Sequence, residues 1–379
     1  MNKEQKYWLA FAKTDGIGSM TLSDIYKKFG SMKEAWEAST ADWLASAMVL
    51  TASYEEPEKV CRLKLATIEK FKQKQKEIDI EALEKELLKK EVKFITILDK
   101  SYPPILKQIY NPPATLFYKG NFPKINLEFA LAAVGSRNCS FNAVESTKSI
   151  ISELNGSDLT IVSGGAKGID TVSHEAALNA GLKTIAVLGG GFDNLYPKSN
   201  AKLFERIVKA GGALVSEYHP CVFPEAFRFP LRNRIISGLS KGTLVSEAGE
   251  KSGALITARL CLEQNRELMC LPGIISNPNT YGTHKLLKDG AGLVTCGADI
   301  LNYMGWEEKN TTCVNNQAVV DLTEEEKIVY DIISLEPSGS DKIISLTKFD
   351  VGDVMVILTT LELKGVIKQL PGETYMRIN

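Results

Sequence analysis

One unit repeats between residues 127 and 302: a short apolar run, a turn carrying glycine, then apolar positions at helix spacing. Apolar runs at 129–134, 159–163, 184–188, 213–216, 243–247 and 267–270 predict strands, with a further short run at 293–295. Helices are expected at about 142–154, 170–180, 200–210, 231–239, 253–264 and 283–289. Near-continuous apolar strands alternating with helices define a parallel sheet covered on both faces. Such sheets meet their ligands outside the carboxyl ends of the strands, and the glycine turns all lie on that edge.

The flanking segments follow other rhythms. Residues 1–85 read as helical: Leu22, Ile25, Tyr26 and Phe29 recur at helix spacing before Gly30, and Ser31 predicts an N-cap with Glu34 completing a capping box. The turn Gly16-Ile17-Gly18 between two helices resembles a helix-hairpin-helix or SAM-like module. Asp15 beside it and the mixed flanking charge favour a packing role over a phosphate contact. The charged stretch Lys72 to Lys93 predicts one solvated connecting helix. Tyr102-Pro103-Pro104 and Asn111-Pro112-Pro113 are expected outside helices, with short strands at Phe94 to Leu98 and Thr115 to Tyr118 leading into the main domain. After a polar linker at 303–320, helices are expected at 323–334, 341–347 and 351–363, followed by a hairpin from Gly365 to Ile378. That is a winged-helix outline.

Composition narrows the class. Lys plus Arg number 45 and Asp plus Glu 46, so any phosphate-binding face is a local patch on a near-neutral molecule. Seven scattered cysteines without a CxxC pair fit free thiols in a reducing cytosol. With three histidines, no multi-histidine metal centre is expected, and no cofactor motif is present. The opening Met1 to Lys6 is not expected to begin a signal peptide, and no apolar run reaches membrane-spanning length.

The candidate chemistry sits in the glycine turns. Gly135-Ser136-Arg137 follows a strand, and an arginine fork there can hold a phosphate. Gly164, Gly165 and Gly168 permit close backbone approach around Lys167, and turn amides at a helix start favour an anion. The pattern is neither GxxxxGK[ST] nor GxGxxG. His174 follows Asp170 by four residues, on one helix face, and no marked nucleophile accompanies them. Phe227-Arg228-Phe229-Pro230-Leu231-Arg232-Asn233-Arg234 alternates cations with apolar groups, offering phosphate contacts and stacking surfaces for unpaired bases. Alternatively, Arg232 or Arg234 pairs with Glu217 or Glu247 to brace the sheet edge.

Gly135-Ser136-Arg137, Ser163 to Asp170 with His174, Gly189 to Asn200, Phe229 to Leu239, Glu247 to Ala258 and Leu271-Pro272-Gly273 together resemble the DNA-processing protein A family, also called Smf. The resemblance implies an α/β protein. An extended Rossmann-like parallel-sheet domain over 86–302 is flanked by a helical SAM-like domain at 1–85 and, beyond the 303–320 linker, a winged-helix domain at 321–379. It implies binding of single-stranded DNA, loading of RecA recombinase during natural transformation, a homodimer through the Rossmann-like domain, cytoplasmic location and no catalysis. Single-strand binding protein is a further candidate partner. Residue by residue it implies DNA contacts from Arg137, Lys167, Lys198, Arg232 and Arg234. Joined to the turn residues, the expected DNA site is Gly135, Ser136, Arg137, Gly164, Gly165, Lys167, Gly168, Lys198, Phe227, Arg228, Arg232, Asn233 and Arg234, with Asp170, His174 and Glu247 structural. Lys167 stands where many members have arginine, and Gly165 where leucine is common.

Two other functions stay open on the residues alone: a Rossmann-like nucleotide phosphoribohydrolase, whose PGGxGT turn is missing here, and a nucleotide-sensing scaffold. In the tail, Asp350 and Asp353 bring negative charge to the expected recognition helix, and no Arg or Lys appears from Val351 to Leu361. Groove readers need positive charge, so the tail reads as a protein-contact or structural module.

Overall fold

The computed structural model describes residues 1–14, 16–43, 65–306, 322–334, 337–370 and 372–377. Asp15, Pro371 and the linker stretch 307–320 lie outside the described residues. The chain divides into two compact units, Met1–Thr312 and Cys313–Asn379.

In the first unit the described strands are β1 (Lys93–Thr96), β2 (Thr115–Gly120), β3 (Ala130–Val134), β4 (Thr160–Ser163), β5 (Lys183–Leu188), β6 (Ala213–Ser216), β7 (Gly242–Val245), β8 (Glu267–Cys270) and β9 (Gly292–Leu293). They form one sheet in the order β1-β2-β6-β5-β4-β3-β7-β8-β9. Pairings from β6 through to β9 are parallel, with Leu131 opposite both Ile161 and Gly242. β1 and β2 join antiparallel at the β6 side, so the lead-in strands extend the main sheet.

The described helices before the sheet are α1 (Lys3–Ala12), α2 (Ser19–Phe29), α3 (Met32–Glu37), α4 (Leu65–Gln75) and α5 (Ile80–Lys89). Those among and after the strands are α6 (Pro104–Lys107), α7 (Phe141–Glu153), α8 (Ile169–Asn179), α9 (Ala201–Lys209), α10 (Arg228–Gly238), α11 (Ala254–Glu263), α12 (Tyr281–Lys288) and α13 (Gly297–Met304).

Side chains alternate across each strand, and that alternation assigns the helices to faces. Leu131, Ala133 and Ile161 pack with Ile150 and Ile151 of α7, Ala176 and Ala177 of α8, and Ile300 of α13. Ala132, Val134 and Val162 pack with Ile235 and Ile236 of α10 and Ala254 and Ala258 of α11. Burying each such Ile, Leu or Val contributes about 1.5–3 kcal/mol. The neighbouring strands β3 and β7 therefore send their helices, α7 and α11, to opposite faces. Such a topological switch point opens a crevice at the carboxyl edge of the sheet.

The amino-terminal helices share the sheet's core. Trp8, Phe11, Leu22, Trp36, Leu83 and Leu87 lie in one buried cluster with Phe117, Ala186, Leu188 and Phe204. The stretch Lys72 to Lys93 is not a single solvated helix. It breaks between α4 and α5, where Asp79 caps α5 by accepting from the Glu81 and Ala82 amides, and Leu83 and Leu87 turn inward. Ser31 caps α3 as expected, but Glu34 does not close the box. Glu4 of α1 instead accepts from the Ser31 hydroxyl at 3.0 Å and from the Met32 amide. Pro104 does enter a helix, because the first turn has no use for its missing N–H. α10 starts at Arg228, with Pro230 in its first turn, earlier than the apolar spacing indicated. α13 had no counterpart in the expectations; the Asp299 carboxylate starts it by accepting from Thr295 at 2.7 Å and Cys296 at 3.2 Å.

The second unit comprises α14 (Glu324–Ile332), β10 (Ser338–Gly339), α15 (Ser340–Leu346), α16 (Val351–Leu363), β11 (Ile367–Leu370) and β12 (Thr374–Arg377). The strands are ordered β10-β12-β11, and Val329, Ile343, Val354, Leu358 and Tyr375 form the core of a winged-helix arrangement. Among the described residues, no helix of the chain is long and apolar enough to cross a membrane.

Candidate nucleic-acid interface

The junctions after β3 and β4 are built against each other. The Ile169 amide donates to the Ser136 carbonyl at 3.1 Å, and the Ser136 amide donates to the Glu247 carbonyl at 2.7 Å. Gly168 has φ +79°, and a Cβ there would overlap the Ser136 carbonyl. Only glycine meets both conditions. Asn200 ties the β4 turn to the next loop, donating to the Gly165 carbonyl at 3.0 Å and the Thr171 hydroxyl at 2.8 Å. Gly165, at φ +66°, is buried against Phe204.

Beneath the turn lie Asp170 and Arg232. Asp170 accepts from the Ala166 amide at 3.2 Å, and burial pushes its carboxyl up from the ordinary value against the pull of Arg232. The Arg232 guanidinium donates to the Gly164 carbonyl at 2.6 Å and to the Val187 carbonyl. It is 4% exposed, and burial lowers its pKa to about 10, leaving it charged at neutral pH. A Cβ on Gly164 would come within 2.6 Å of both Arg232 Nη2 and Asp170 Oδ2, so glycine leaves room for both groups under the turn.

The three arginines of the Phe227–Arg234 stretch take three different directions. Arg232 points into the sheet edge. Arg234 pairs with Glu217 at 2.6 and 2.9 Å and donates to the Asn111 carbonyl at 2.8 Å. Glu217 also accepts from Ser19 of α2, so this cluster fastens the amino-terminal helices to α10. Arg228 pairs with Glu225 at 2.8 Å and stacks 4.8 Å from the ring centroids of Tyr218 and Phe227. Glu247 meets none of them. Fully buried, it accepts from the Ser140 amide at 3.0 Å and from the Ser140 hydroxyl at 2.5 Å, anchoring the N-cap of α7.

His174 and Asp170 do not pair. His174 Nδ1 lies 2.7 Å from the Thr184 hydroxyl, which donates its own proton to the Ile161 carbonyl at 2.9 Å. Thr184 must therefore accept, which fixes His174 as the Nδ1–H tautomer. Burial lowers its pKa to about 3, and its Nε2 is buried without a partner. A neutral imidazole packed behind the sheet cannot reach a ligand at the edge.

The crevice at the switch point is a cavity of about 890 Å³. Gly135, Ser136 and Arg137 line one side, and Gly249, Lys251, Ser252 and Gly253 of the β7–α11 loop line another. Tyr196, Phe229 and Pro230 supply apolar and aromatic wall, and Asn138, Asn233 and Asn279 supply amides. The Arg137 guanidinium sits 5.5 Å from the Phe229 ring centroid, and Phe229 is 5.6 Å from Tyr196. A smaller recess of about 60 Å³ adjoins it, adding Gly164, Lys167 and Pro197. Arg137, Lys167 and Lys198 are exposed at this edge. Arg232 and Asn233 line the main cavity, whereas Arg228, Arg234 and Phe227 lie among other partners. Lys251, Tyr196, Asn138 and Asn279 were not among the expected site residues, and of the two rings expected to offer stacking, Phe227 and Phe229, the cavity is lined by Phe229. Among the described residues, no cluster of His, Cys, Asp and Glu is arranged to hold a metal ion. The described cysteines, Cys139, Cys221, Cys261, Cys270 and Cys296, are free thiols.

Comparison with known proteins bears on this architecture. The family described as DNA recombination-mediator protein A matches residues 93–305, and the DprA winged helix domain matches residues 315–373. Protein Smf of Synechocystis sp. is 33% identical over 410 residues, covering 99% of both chains. The DNA processing protein DprA of Streptococcus pneumoniae is 46% identical over 211 residues, covering 54% of this chain and 72% of that protein. The X-ray structure of DNA processing protein A from Streptococcus pneumoniae superposes with a TM-score of 0.65 at 36% identity, over 80% of this chain and 98% of that one. A Helicobacter pylori DNA processing protein A, described for its unique single-stranded DNA binding mode, matches with a TM-score of 0.50 at 29% identity, over 55% of this chain and 94% of that one.

Proposed function

The chain belongs to the DNA recombination-mediator protein A family, and on that premise we propose that it binds single-stranded DNA at the crevice between β3 and β7 and loads RecA recombinase onto it. The observation that carries this reading is the pairing of exposed cations with aromatic walls. Arg137 and Lys167 stand at the turn, and Phe229 and Tyr196 offer faces on which unpaired bases can stack. Ser136, Gly164, Gly165 and Gly168 shape the turn, while Arg232, Asp170 and Glu247 hold it from below.

The proposal extends to a homodimer formed through the sheet domain, cytoplasmic location, and association with single-strand binding protein. We read the activity as binding without catalysis. The hydrolase alternative lacks the His174–Asp170 dyad, since His174 is neutral, buried and bonded to Thr184 instead.

Titration of a labelled single-stranded oligonucleotide, with base release from nucleoside monophosphates assayed in parallel, tests the reading. Saturable binding without release is expected. Release without strand binding would replace it by the hydrolase.

A further inference from the structure

Four exposed cations stand at the carboxyl edge on the loops of four neighbouring strands. Lys198 follows β5, Lys167 follows β4, Arg137 follows β3 and Lys251 follows β7, and the strands lie side by side in that order. Among the described residues none of the four is held in an ion pair. Lys251 is set apart because it reaches the cavity from the far side of the switch point, on the loop leading to the helix that covers the opposite face.

We propose that Lys251 is a phosphate contact that continues the cationic row past Arg137, so that a single strand crosses the switch point and runs perpendicular to the β-strands. This rests on the single-stranded DNA reading and extends the site beyond the turn residues that the sequence marks. Strand ends about 4.8 Å apart give four neighbouring strands a width of about 14 Å, the length of about three phosphates of an extended single strand. The aromatic wall of Tyr196 and Phe229 lines the same cavity, so bases turn inward while the backbone follows the cations.

Lys251 follows the strand next to that of Arg137, one strand spacing of about 4.8 Å further along the row, so the phosphate after the one at Arg137 comes within its reach. The test is fluorescence anisotropy with the full chain and oligothymidylates from about three to about fifteen nucleotides, comparing wild type with Lys251→Ala, Lys251→Arg and Arg137→Ala. Lys251→Ala is expected to weaken binding about fivefold or more and to lower the salt slope by about 0.7, the value for one phosphate of a single strand. Lys251→Arg should restore the affinity. Unchanged affinity and salt slope in Lys251→Ala would overturn the proposal. If Arg137→Ala loses affinity at all lengths while Lys251→Ala loses none, only the fourth contact falls. If the wild type binds no strand, the whole reading falls with it.

Discussion

Arg232 donates to the carbonyl oxygen of Gly164 at 2.6 Å, from a helix that begins far along the chain, and so locks α10 to the turn after β4. The same guanidinium reaches the Val187 carbonyl at the end of β5. A cation in the middle of an arginine-rich stretch is thereby used as a brace. Removing it leaves buried carbonyls without a donor, which costs about 1–3 kcal/mol each. Arg232→Ala is expected to lower stability by about 3 kcal/mol, measured by urea unfolding, and to weaken DNA binding as a consequence. A variant as stable as wild type would show that the guanidinium does not brace the turn.

Arg137 and Lys167 should behave in the opposite way. Both are exposed, so Arg137→Ala and Lys167→Ala should leave the urea midpoint almost unchanged while weakening strand binding. Each loses about one phosphate contact, so each should reduce the slope of log affinity against log salt by about 0.7. Anisotropy titrations across a salt series measure this directly. Wild-type slopes in both variants would remove these residues from the site.

These two behaviours mark what sequence could and could not convey. The strands were legible because each is an apolar run buried on both faces, and β3 to β8 fall within two residues of the expected positions at either end. The Arg137 and Lys167 turns were legible because glycine is concentrated where backbones must pass closely. The split among Arg228, Arg232 and Arg234 was not, since alternation gives helix faces but does not say which face meets the sheet edge. Lys251 was read only as part of a loop, because its relation to Arg137 comes from the crossover that sets β7 beside β3. Glu247 has the same origin: its partner Ser140 is on a neighbouring junction, distant in sequence.

Acid should destabilise the fold through its buried imidazoles. Burial depresses His174 to about 3 and His219 to about 4, whereas histidines in an unfolded chain titrate near 6.5. Between these values the unfolded chain holds protons that the folded chain does not. Stability is therefore full above about pH 6.5 and falls as pH drops, by up to about 1.4 kcal/mol per pH unit for each group. His174→Asn should make the decline between about pH 6.5 and about pH 5 shallower in urea midpoints. An unchanged slope would mean that His174 titrates normally in the folded state.

The first turn of the second unit's long helix is acidic. Asp350 caps α16 and Asp353 lies in its first turn, while Val351, Val356 and Leu363 are exposed along it. Deleting residues 321–379 is expected to change single-strand affinity by less than about twofold. A tenfold loss in a protein whose first unit is still folded would assign the winged helix to DNA.

The central claim is that unpaired bases turn into the cavity beside Arg137. It is tested most directly by measuring single-strand and blunt-duplex affinities side by side, at one salt concentration, for wild type and Arg137→Ala. The expected result is a clear single-strand preference in the wild type that Arg137→Ala largely removes. Equal affinity for both forms in the wild type, or a preference untouched by Arg137→Ala, would contradict the account.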